Sequence, residues 1–517
     1  MCGKKTIVCL ALSVGLCAVC LAETGGKLEM AGENVYRLIE AGQFAEARAR
    51  AERIERDFAG DEGLAETQYR IAERFERLDR FDEAKRICRR IIQNNPQSQW
   101  GIRARLGKER AQIKELILAQ EFEKAKEAID KLEKDFSGKE ETADAIFWIA
   151  ERFERIDRFE DARQTYRRIT QNFADSAYAG NAKFGAAKAE IMSLIVAEDY
   201  DQAKKELDKF VHNFEGEPNF PWAFYWITER YDRANKFEEA KAGFEFITSK
   251  FPKSGSASGA KLRLAKIAIL SLVKKKDYDK ADEALDKMIR DFRGHNELGF
   301  AVSRIGEEYY GQKDSTGALE KARKVFKITA DELPVSWATP EACCWVGDVS
   351  NELEQYEEAI EFYKRACDGY PQYAFAAFSG YRQKSLFMIG QCYDKLGKRG
   401  DIANEETTSK AIEAYERLLG ESGDFPLAKD SWRELGYLYA GRNNREDSIR
   451  CFEQYRKIVG DERCPRDVFY ELARAYDGMG DVGAAKKNYE RFVRAALPND
   501  ERRKEVKERL AEIKNTN

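Results

Sequence analysis

The chain of 517 residues has little of several residue types on which particular functions depend. Its 2 histidines, His212 and His295, lie too far apart in sequence to indicate a metal site or an acid–base pair. It has only 10 prolines, and no glycine-rich phosphate loop follows a strand pattern. Charges of both signs are interleaved, with a formal net charge of −4 and no basic stripe. These absences argue against nucleic-acid binding, and the sequence predicts no catalytic residue, metal or cofactor.

Long apolar runs are also missing, apart from one at the N-terminus. Lys4 and Lys5 precede an apolar run over residues 6–21, and Cys20 and Ala22 place small residues at positions −3 and −1 of a cleavage site. The run is short for a membrane span. We therefore predict a signal peptide over residues 1–22 and export to the periplasm or outer envelope. A lipid anchor ranks second, because the residues that precede the cysteines there are not small.

The cysteine pattern does not suggest a disulfide framework. Four of the 11 cysteines fall in the predicted signal peptide, and the odd number that follows it leaves at least one thiol unpaired within the chain. Most of the rest occupy apolar helical positions, where cysteine behaves as a small hydrophobic residue. These seven are Cys88, Cys343, Cys344, Cys367, Cys392, Cys451 and Cys464.

Internal repetition is the strongest signal in the sequence. Two kinds of segment recur every 78 residues, and a fixed period means that one unit is stacked along the chain. Apolar residues within each unit follow the spacing of two amphipathic helices. We therefore predict an all-α solenoid of helix hairpins. The copies are residues 35–47, 113–125, 191–203 and 269–281, and residues 71–84, 149–162, 227–240 and 305–318.

The spacing inside each unit resembles the tetratricopeptide repeat. Gly347, Ala359, Tyr363, Ala366 and Pro371 follow that family's order of small, alanine, aromatic, alanine and proline positions. The resemblance implies a right-handed superhelical solenoid of about twelve antiparallel hairpins. Four units carry Val or Ile at the small position, so their hairpins are expected to be splayed or shifted. The units are anchored at residues 35, 72, 113, 150, 191, 228, 269, 306, 347, 390, 436 and 473, and the four exceptions at 35, 113, 191 and 269.

Repeat regularity suggests the organisation of the chain. A polar C-terminal helix with Val506, Leu510 and Ile513 on one face is expected to cap the array. Residues 311–317 and 398–410 are predicted to be irregular loops between helices. The predicted segments are a signal peptide over 1–22, a regular array over 23–335, more irregular units over 336–499 and a capping helix over 500–517.

A stripe of aromatic, glutamate and arginine residues is the candidate binding site. In the tetratricopeptide family, positions −3, +1 and +5 from the small residue face a concave groove, and aromatic and arginine side chains are common anchors of interfaces. The resemblance thus implies a groove for a peptide or helix. Alternatively, the Glu and Arg residues pair on the helix face and the aromatic residues pack on the next unit. The positions are Tyr69, Glu73 and Arg77, then Phe147, Glu151 and Arg155, then Tyr225, Glu229 and Arg233.

These observations predict a non-enzymatic scaffold of the cell envelope that binds a protein or peptide partner. Nucleic acid, a small-molecule substrate and a membrane span after signal removal are not expected. Residues 148–176 resemble, at the level of repeat type, the outer-membrane-assembly lipoproteins and the Tol–Pal-associated periplasmic proteins. Two alternatives stay open: a structural protein that self-assembles through its stacking faces, and an enzyme whose site the sequence does not reveal.

Overall fold

The computed structural model describes residues 26–370, 379–399, 405–421 and 426–515. The predicted signal peptide, its four cysteines and Pro371 lie outside these residues. Within them the regular structure is helical, with 25 α-helices and no strand. The predicted all-α class is therefore confirmed, while the right-handed superhelix stays a prediction.

The helices follow one another with short connections. In chain order they are α1 (Gly26–Glu40), α2 (Phe44–Asp57), α3 (Leu64–Arg77), α4 (Phe81–Asn94), α5 (Gln99–Leu118), α6 (Phe122–Asp135), α7 (Glu140–Arg155), α8 (Phe159–Asn172), α9 (Ala179–Val196), α10 (Tyr200–Phe214), α11 (Phe220–Arg233), α12 (Phe237–Lys250), α13 (Gly255–Lys274), α14 (Tyr278–Asp291), α15 (Leu298–Tyr310), α16 (Ala318–Lys327), α17 (Ala338–Glu352), α18 (Tyr356–Asp368), α19 (Ser379–Arg399), α20 (Glu405–Glu421), α21 (Ala428–Gly441), α22 (Arg445–Val459), α23 (Arg466–Gly478), α24 (Val482–Ala495) and α25 (Arg502–Asn515).

Helices α1 to α24 form twelve successive hairpins in the part of the chain that the structure describes, as the repeat count predicted. The chain divides into two compact units between Ser256 and Ala257. The predicted change from regular to irregular units at residues 335–336 concerns the repeat pattern and stays a prediction. No helix among the described residues is both long enough and apolar enough to cross a membrane.

Tight turns join the two helices of a hairpin. Between α3 and α4, Asp79 adopts a left-handed conformation with φ of 60°. Its amide donates to the Glu76 carbonyl at 3.1 Å, and the Arg80 amide donates to the Phe75 carbonyl at 2.9 Å. These two bonds satisfy the last carbonyls of α3 in a Schellman motif. Asp157 repeats the conformation 78 residues later, so the turn is part of the repeating unit.

Glycine at the small position allows close packing inside a hairpin. A Cβ atom at Gly347 would lie 2.6 Å from the Tyr363 ring, and one at Gly436 would lie 2.5 Å from the Phe452 ring. The aromatic ring of the second helix therefore packs directly on the backbone of the first. The hairpins α1/α2, α5/α6 and α9/α10, which carry Val or Ile there, pack less closely than the glycine-bearing hairpin α17/α18. This difference agrees with the predicted splaying.

The prediction of an irregular loop over residues 398–410 is wrong for most of that segment. Helix α19 continues to Arg399 and α20 begins at Glu405. Within the helices, Lys398 pairs with Asp394 and Lys410 pairs with Glu406, each at i,i+4 spacing, which favours helix over loop. Residues 311–317 do form a loop between α15 and α16.

The remaining cysteines and the last helix behave as apolar elements. All seven cysteines of the described residues are buried thiols. Helix α25 packs against α24 and buries Val506 and Ile513, while Leu510 is partly buried. Most of its other side chains are exposed, so α25 presents a solvent-exposed outer face.

Candidate partner-binding surface

The first helices of three successive hairpins, α3, α5 and α7, lie side by side in the first compact unit. The amphipathic patterns of α3 and α7 turn apolar side chains toward the second helices and leave polar ones on a face that α5 shares. Two adjacent cavities open on this face. We call them the basic cavity and the aromatic cavity.

The basic cavity lies at the C-terminal ends of α3 and α7 and has a volume of about 240 Å³. Glu76 and Asp79 contribute to its lining from α3 and the turn that follows. Cationic side chains outnumber the carboxylates around it. Its other lining residues are Arg77, Lys114, Trp148, Glu151, Arg152 and Arg155.

The aromatic cavity lies nearer the N-terminal ends of α3 and α7 and has a volume of about 420 Å³. Tyr69 and Trp100 form one wall, with ring centroids 5.7 Å apart. Tyr178 contributes a third ring, and the carboxylates of Glu73, Glu141 and Asp144 line the same space. Rings beside carboxylates make a wall that is both apolar and acidic.

A buried ion pair fixes the two cavities relative to each other. The Nε and Nη2 atoms of Arg110 donate to Glu76 at 2.9–3.1 Å, and both residues are only 4% exposed. The Lys114 Nζ atom lies 2.7 Å from the same carboxylate. Burial alone would raise the pKa of Glu76, but Arg110 and Lys114 lower it below its usual range. Burial, with the nearby charge of Arg110, lowers the pKa of Lys114.

Trp148 separates the cavities and is held on both sides. Its indole nitrogen donates to Asp144 Oδ1 at 2.8 Å. The Arg77 guanidinium lies 5.8 Å from its ring centroid, and Lys114 Nζ lies 5.9 Å from it. These distances suit cation–π attraction. The ring is therefore a fixed wall, with cations along its basic side.

The structure places the predicted aromatic positions mainly in the interior. Tyr69 and Tyr225 are buried at 7% and 5% exposure. Phe147 is partly buried and contacts Tyr166 and Tyr178. Tyr69 and Phe147 contact Trp100 and Tyr178 of the following hairpins, whereas Tyr225 contacts Phe244 of its own hairpin. Tyr69 also lines the aromatic cavity.

The charged positions of the stripe differ from one repeat to the next. Glu73 accepts from Arg110 at 3.2 Å and lines the aromatic cavity, whereas Arg77 is exposed beside the basic cavity. Glu151 and Arg155 line the same basic cavity from α7. In the third copy, the Arg233 Nε atom donates to Glu229 at 2.7 Å. Tyr225, Glu229 and Arg233 line neither of the two cavities.

Sequence reasoning missed Arg110, Lys114 and Trp148, which complete the site. A signal was available, because Glu76 and Arg110 recur 78 residues later as Glu154 and Lys188. Charged residues that recur from repeat to repeat beside the apolar positions of a helix indicate buried ion pairs. The stripe takes its positions from the first helices of alternate hairpins and so omits α5, which supplies two of these residues.

The stacked hairpins define an all-α repeat protein. Tetratricopeptide repeat models match residues 66–98, 111–177, 340–373 and 467–498. The chain therefore carries tetratricopeptide repeats, which confirms the resemblance seen in the sequence. Repeats of this family support a role as a protein–protein interaction scaffold.

Solved structures with similar repeats include a thermophilic TPR protein of Thermus thermophilus. It shares 18% identity over 42% of this chain and 99% of its own, with a TM-score of 0.25. Another is PilW, a widely conserved type IV pilus biogenesis factor, with 18% identity over 49% of this chain and 99% of its own and a TM-score of 0.30. No match was found among curated proteins.

Proposed function

We propose that the chain is a non-enzymatic interaction scaffold of the cell envelope. Its first compact unit binds a protein or peptide partner along the face of α3, α5 and α7. The observation that carries the proposal is the pair of adjacent cavities on that face, with exposed Arg77 and Arg155 beside the fixed ring of Trp148. Envelope location rests on the N-terminal sequence pattern alone.

The composition of the face suits binding. Arginine and tryptophan are enriched among residues that dominate interface energies, and both kinds line the basic cavity. The ion pair of Glu76 and Arg110 holds the floor rigid, so little ordering is needed when a partner binds. Because the pKa of Glu76 is lowered, its carboxylate stays ionised at neutral pH and is a poor proton donor.

Partner capture tests the face directly. Wild type and the variant Arg77→Ser, Trp148→Ala, Arg155→Ser would be crosslinked in envelope fractions and recovered. Circular dichroism would confirm that the variant is folded. We expect a protein captured by wild type to be lost with the folded variant, because the variant removes three cavity-lining side chains. Capture of the same proteins by both would contradict the proposed face.

A matched control keeps the number and type of substitutions. Arg53 and Arg89 are exposed on the second helices α2 and α4, and Trp222 is 53% exposed on α11. The control variant is Arg53→Ser, Arg89→Ser, Trp222→Ala. We expect it to retain the partner, so that a loss seen only with the cavity variant locates the contact.

Envelope location has its own test. Deletion of residues 1–22 should leave the protein in the cytoplasmic fraction, since those residues carry the export pattern. Fractionation and immunoblotting of both forms would show this. Recovery of the shortened protein from the envelope fraction would refute the export prediction.

A further inference from the structure

The two cavities carry opposite charge. In the basic cavity, Glu76 is already bound by Arg110 and Lys114. Asp79 receives both Nη atoms of Arg152 at 3.0–3.1 Å. The carboxylates of the floor are thus satisfied by cations of the chain itself.

Two cations of the basic cavity have no carboxylate partner among the described residues. Arg77 and Arg155 are exposed, and neither forms an ion pair within the described ranges. One lining carboxylate, Glu151, is likewise without an ion pair there and offsets part of this charge. Arg110, behind Glu76, adds a further cation. The cavity is therefore positive on a chain whose formal net charge is −4.

The aromatic cavity has the reverse balance. Its carboxylates are Glu73, Glu140, Glu141 and Asp144. Of the cations that line it, Arg70 pairs with Glu66 outside the cavity, while Arg110 pairs with Glu76 and also lies 3.2 Å from Glu73 and 3.7 Å from Asp144. The third cation is the Arg103 guanidinium, which lies 5.0 Å from the Trp100 ring centroid. An acidic excess remains beside the rings.

The separation of the cavities can be estimated from helix geometry. Arg155 and Glu141 lie 14 residues apart on α7, which is about 21 Å along the axis at 1.5 Å per residue. An extended peptide advances about 3.3 Å per residue. A segment whose charged groups reach both Arg155 and Glu141 therefore carries them about six residues apart.

We propose that the face of α3, α5 and α7 selects a partner segment with an acidic side chain in the basic cavity and a basic side chain about six residues away in the aromatic cavity. The acidic group contacts Arg77 and Arg155, and the basic group lies near Glu140 and Glu141. This inference rests on the proposed function and specifies the chemistry of its partner. Complementary charge favours specific partners and fast association.

A random peptide library of about twelve residues per member, long enough to span both cavities, tests the pattern without knowledge of the natural partner. The full chain is immobilised, and bound peptides are sequenced. We expect enrichment of peptides with Asp or Glu and Lys or Arg about five to seven positions apart. The protein as a whole carries a net negative charge, so general attraction to polyanions would not explain a preference for acidic peptides. Such a preference would come from the local positive charge of the basic cavity.

Two variants assign each half of the pattern. Arg77→Ser with Arg155→Ser should abolish the acidic preference and leave the basic one, while Glu140→Gln with Glu141→Gln should do the opposite. The control is Arg53→Ser with Arg89→Ser, which should select as wild type does. Each variant changes exposed or partly exposed residues and would be checked by circular dichroism.

The inference is overturned if no charged pattern is enriched, or if the pattern survives in both cavity variants. Peptides that need Trp148 but show no charge pattern would overturn the inference and leave the proposed function standing. The proposed function is tested separately. It would be contradicted if the variant Arg77→Ser, Trp148→Ala, Arg155→Ser still captured the partner.

Discussion

Two buried ion pairs at the same place in successive repeats behave differently. Glu76 and Arg110 in the first pair correspond, 78 residues on, to Glu154 and Lys188. Two cations reach Glu76, at 2.9 Å from Arg110 and 2.7 Å from Lys114. Among the described residues, Glu154 has one ion-pair partner, Lys188 at 2.8 Å. The two positions thus differ by one additional cation and by an arginine in place of a lysine.

The pKa directions follow from that difference. Burial raises the pKa of Glu154, and Lys188 only partly offsets it. At Glu76 the same effect of burial is outweighed by two cations, so that the pKa falls. The position of Lys114 is taken by Met192 in the second repeat. The repeat therefore determines where along the backbone the ion pair lies. Neighbouring charges determine whether the pKa of its carboxyl is raised or lowered.

The first prediction separates the two pairs by stability. Glu76→Gln should lower the free energy of unfolding by about 3–5 kcal/mol, because Lys114 loses its carboxylate partner and buried Arg110 keeps only Glu73 at 3.2 Å and Asp144 at 3.7 Å. Glu154→Gln should cost less, about 1–2 kcal/mol, because the Lys188 Nζ atom still lies 5.0 Å from the Trp222 ring centroid. Urea unfolding followed by circular dichroism measures both. Equal losses would contradict the assigned difference.

Helix packing gives the second contrast. A Cβ at Gly185 would lie 2.8–3.0 Å from the Tyr166 ring, whereas one at Gly107 would lie 3.2 Å from the edge of Tyr69 and 3.6 Å from the Cys88 sulfur. Gly185→Ala should therefore lower the free energy of unfolding by about 1–3 kcal/mol, and Gly107→Ala by less. Thermal unfolding of the two variants provides the comparison, and a larger cost at Gly107 would refute it.

Acid titration should distinguish Glu76 from Glu154, because their pKa values are shifted in opposite directions. The lowered pKa of Glu76 contributes stability above the usual carboxyl pKa, and that contribution is lost as pH falls through the lower folded value. The raised pKa of Glu154 contributes stability at low pH that is lost as pH rises through the higher folded value. Unfolding between pH 7 and pH 4 should thus be less pH-dependent in Glu76→Gln and more so in Glu154→Gln than in wild type. The reverse order would be inconsistent with these shifts.

The smallest expected effect concerns the turns between helices. Arg152 binds Asp79, and Arg230 binds Asp157 at 3.0 Å, in matching positions. The aspartates are 40% and 55% exposed, so Asp79→Asn and Asp157→Asn should each cost less than about 1 kcal/mol. Only Asp79→Asn should also strengthen binding of acidic peptides, because it frees Arg152 in the basic cavity. Fluorescence anisotropy with a labelled oligoglutamate would show whether the two variants differ.

Much of the fold could be predicted from the sequence because packing repeats with the chain. Gly347 and Tyr363 identified a hairpin through spacing alone, and the structure explains the spacing by direct contact of ring and backbone. The extension of α19 and α20 into a predicted loop could not be foreseen from repeat length. It depends on local pairs such as Lys398 with Asp394.

The candidate site was harder to predict because it depends on residues far apart in sequence. Arg77 and Arg155 are exposed, and their predicted place in a binding groove stays a prediction. Lys114 and Trp148 join them only because α5 lies between α3 and α7. Repeat position alone did not show that Tyr69 and Tyr225 are buried, since neighbouring helices decide their exposure.

The central claim, that the face of α3, α5 and α7 binds the partner, is tested most directly by site-specific photocrosslinking. A photoreactive amino acid would replace Glu141 in the aromatic cavity, Glu151 in the basic cavity or Arg89 on the second helix α4. We expect the same partner to be crosslinked from positions 141 and 151 and not from position 89. Crosslinks from position 89 alone, or equally from all three, would contradict the account.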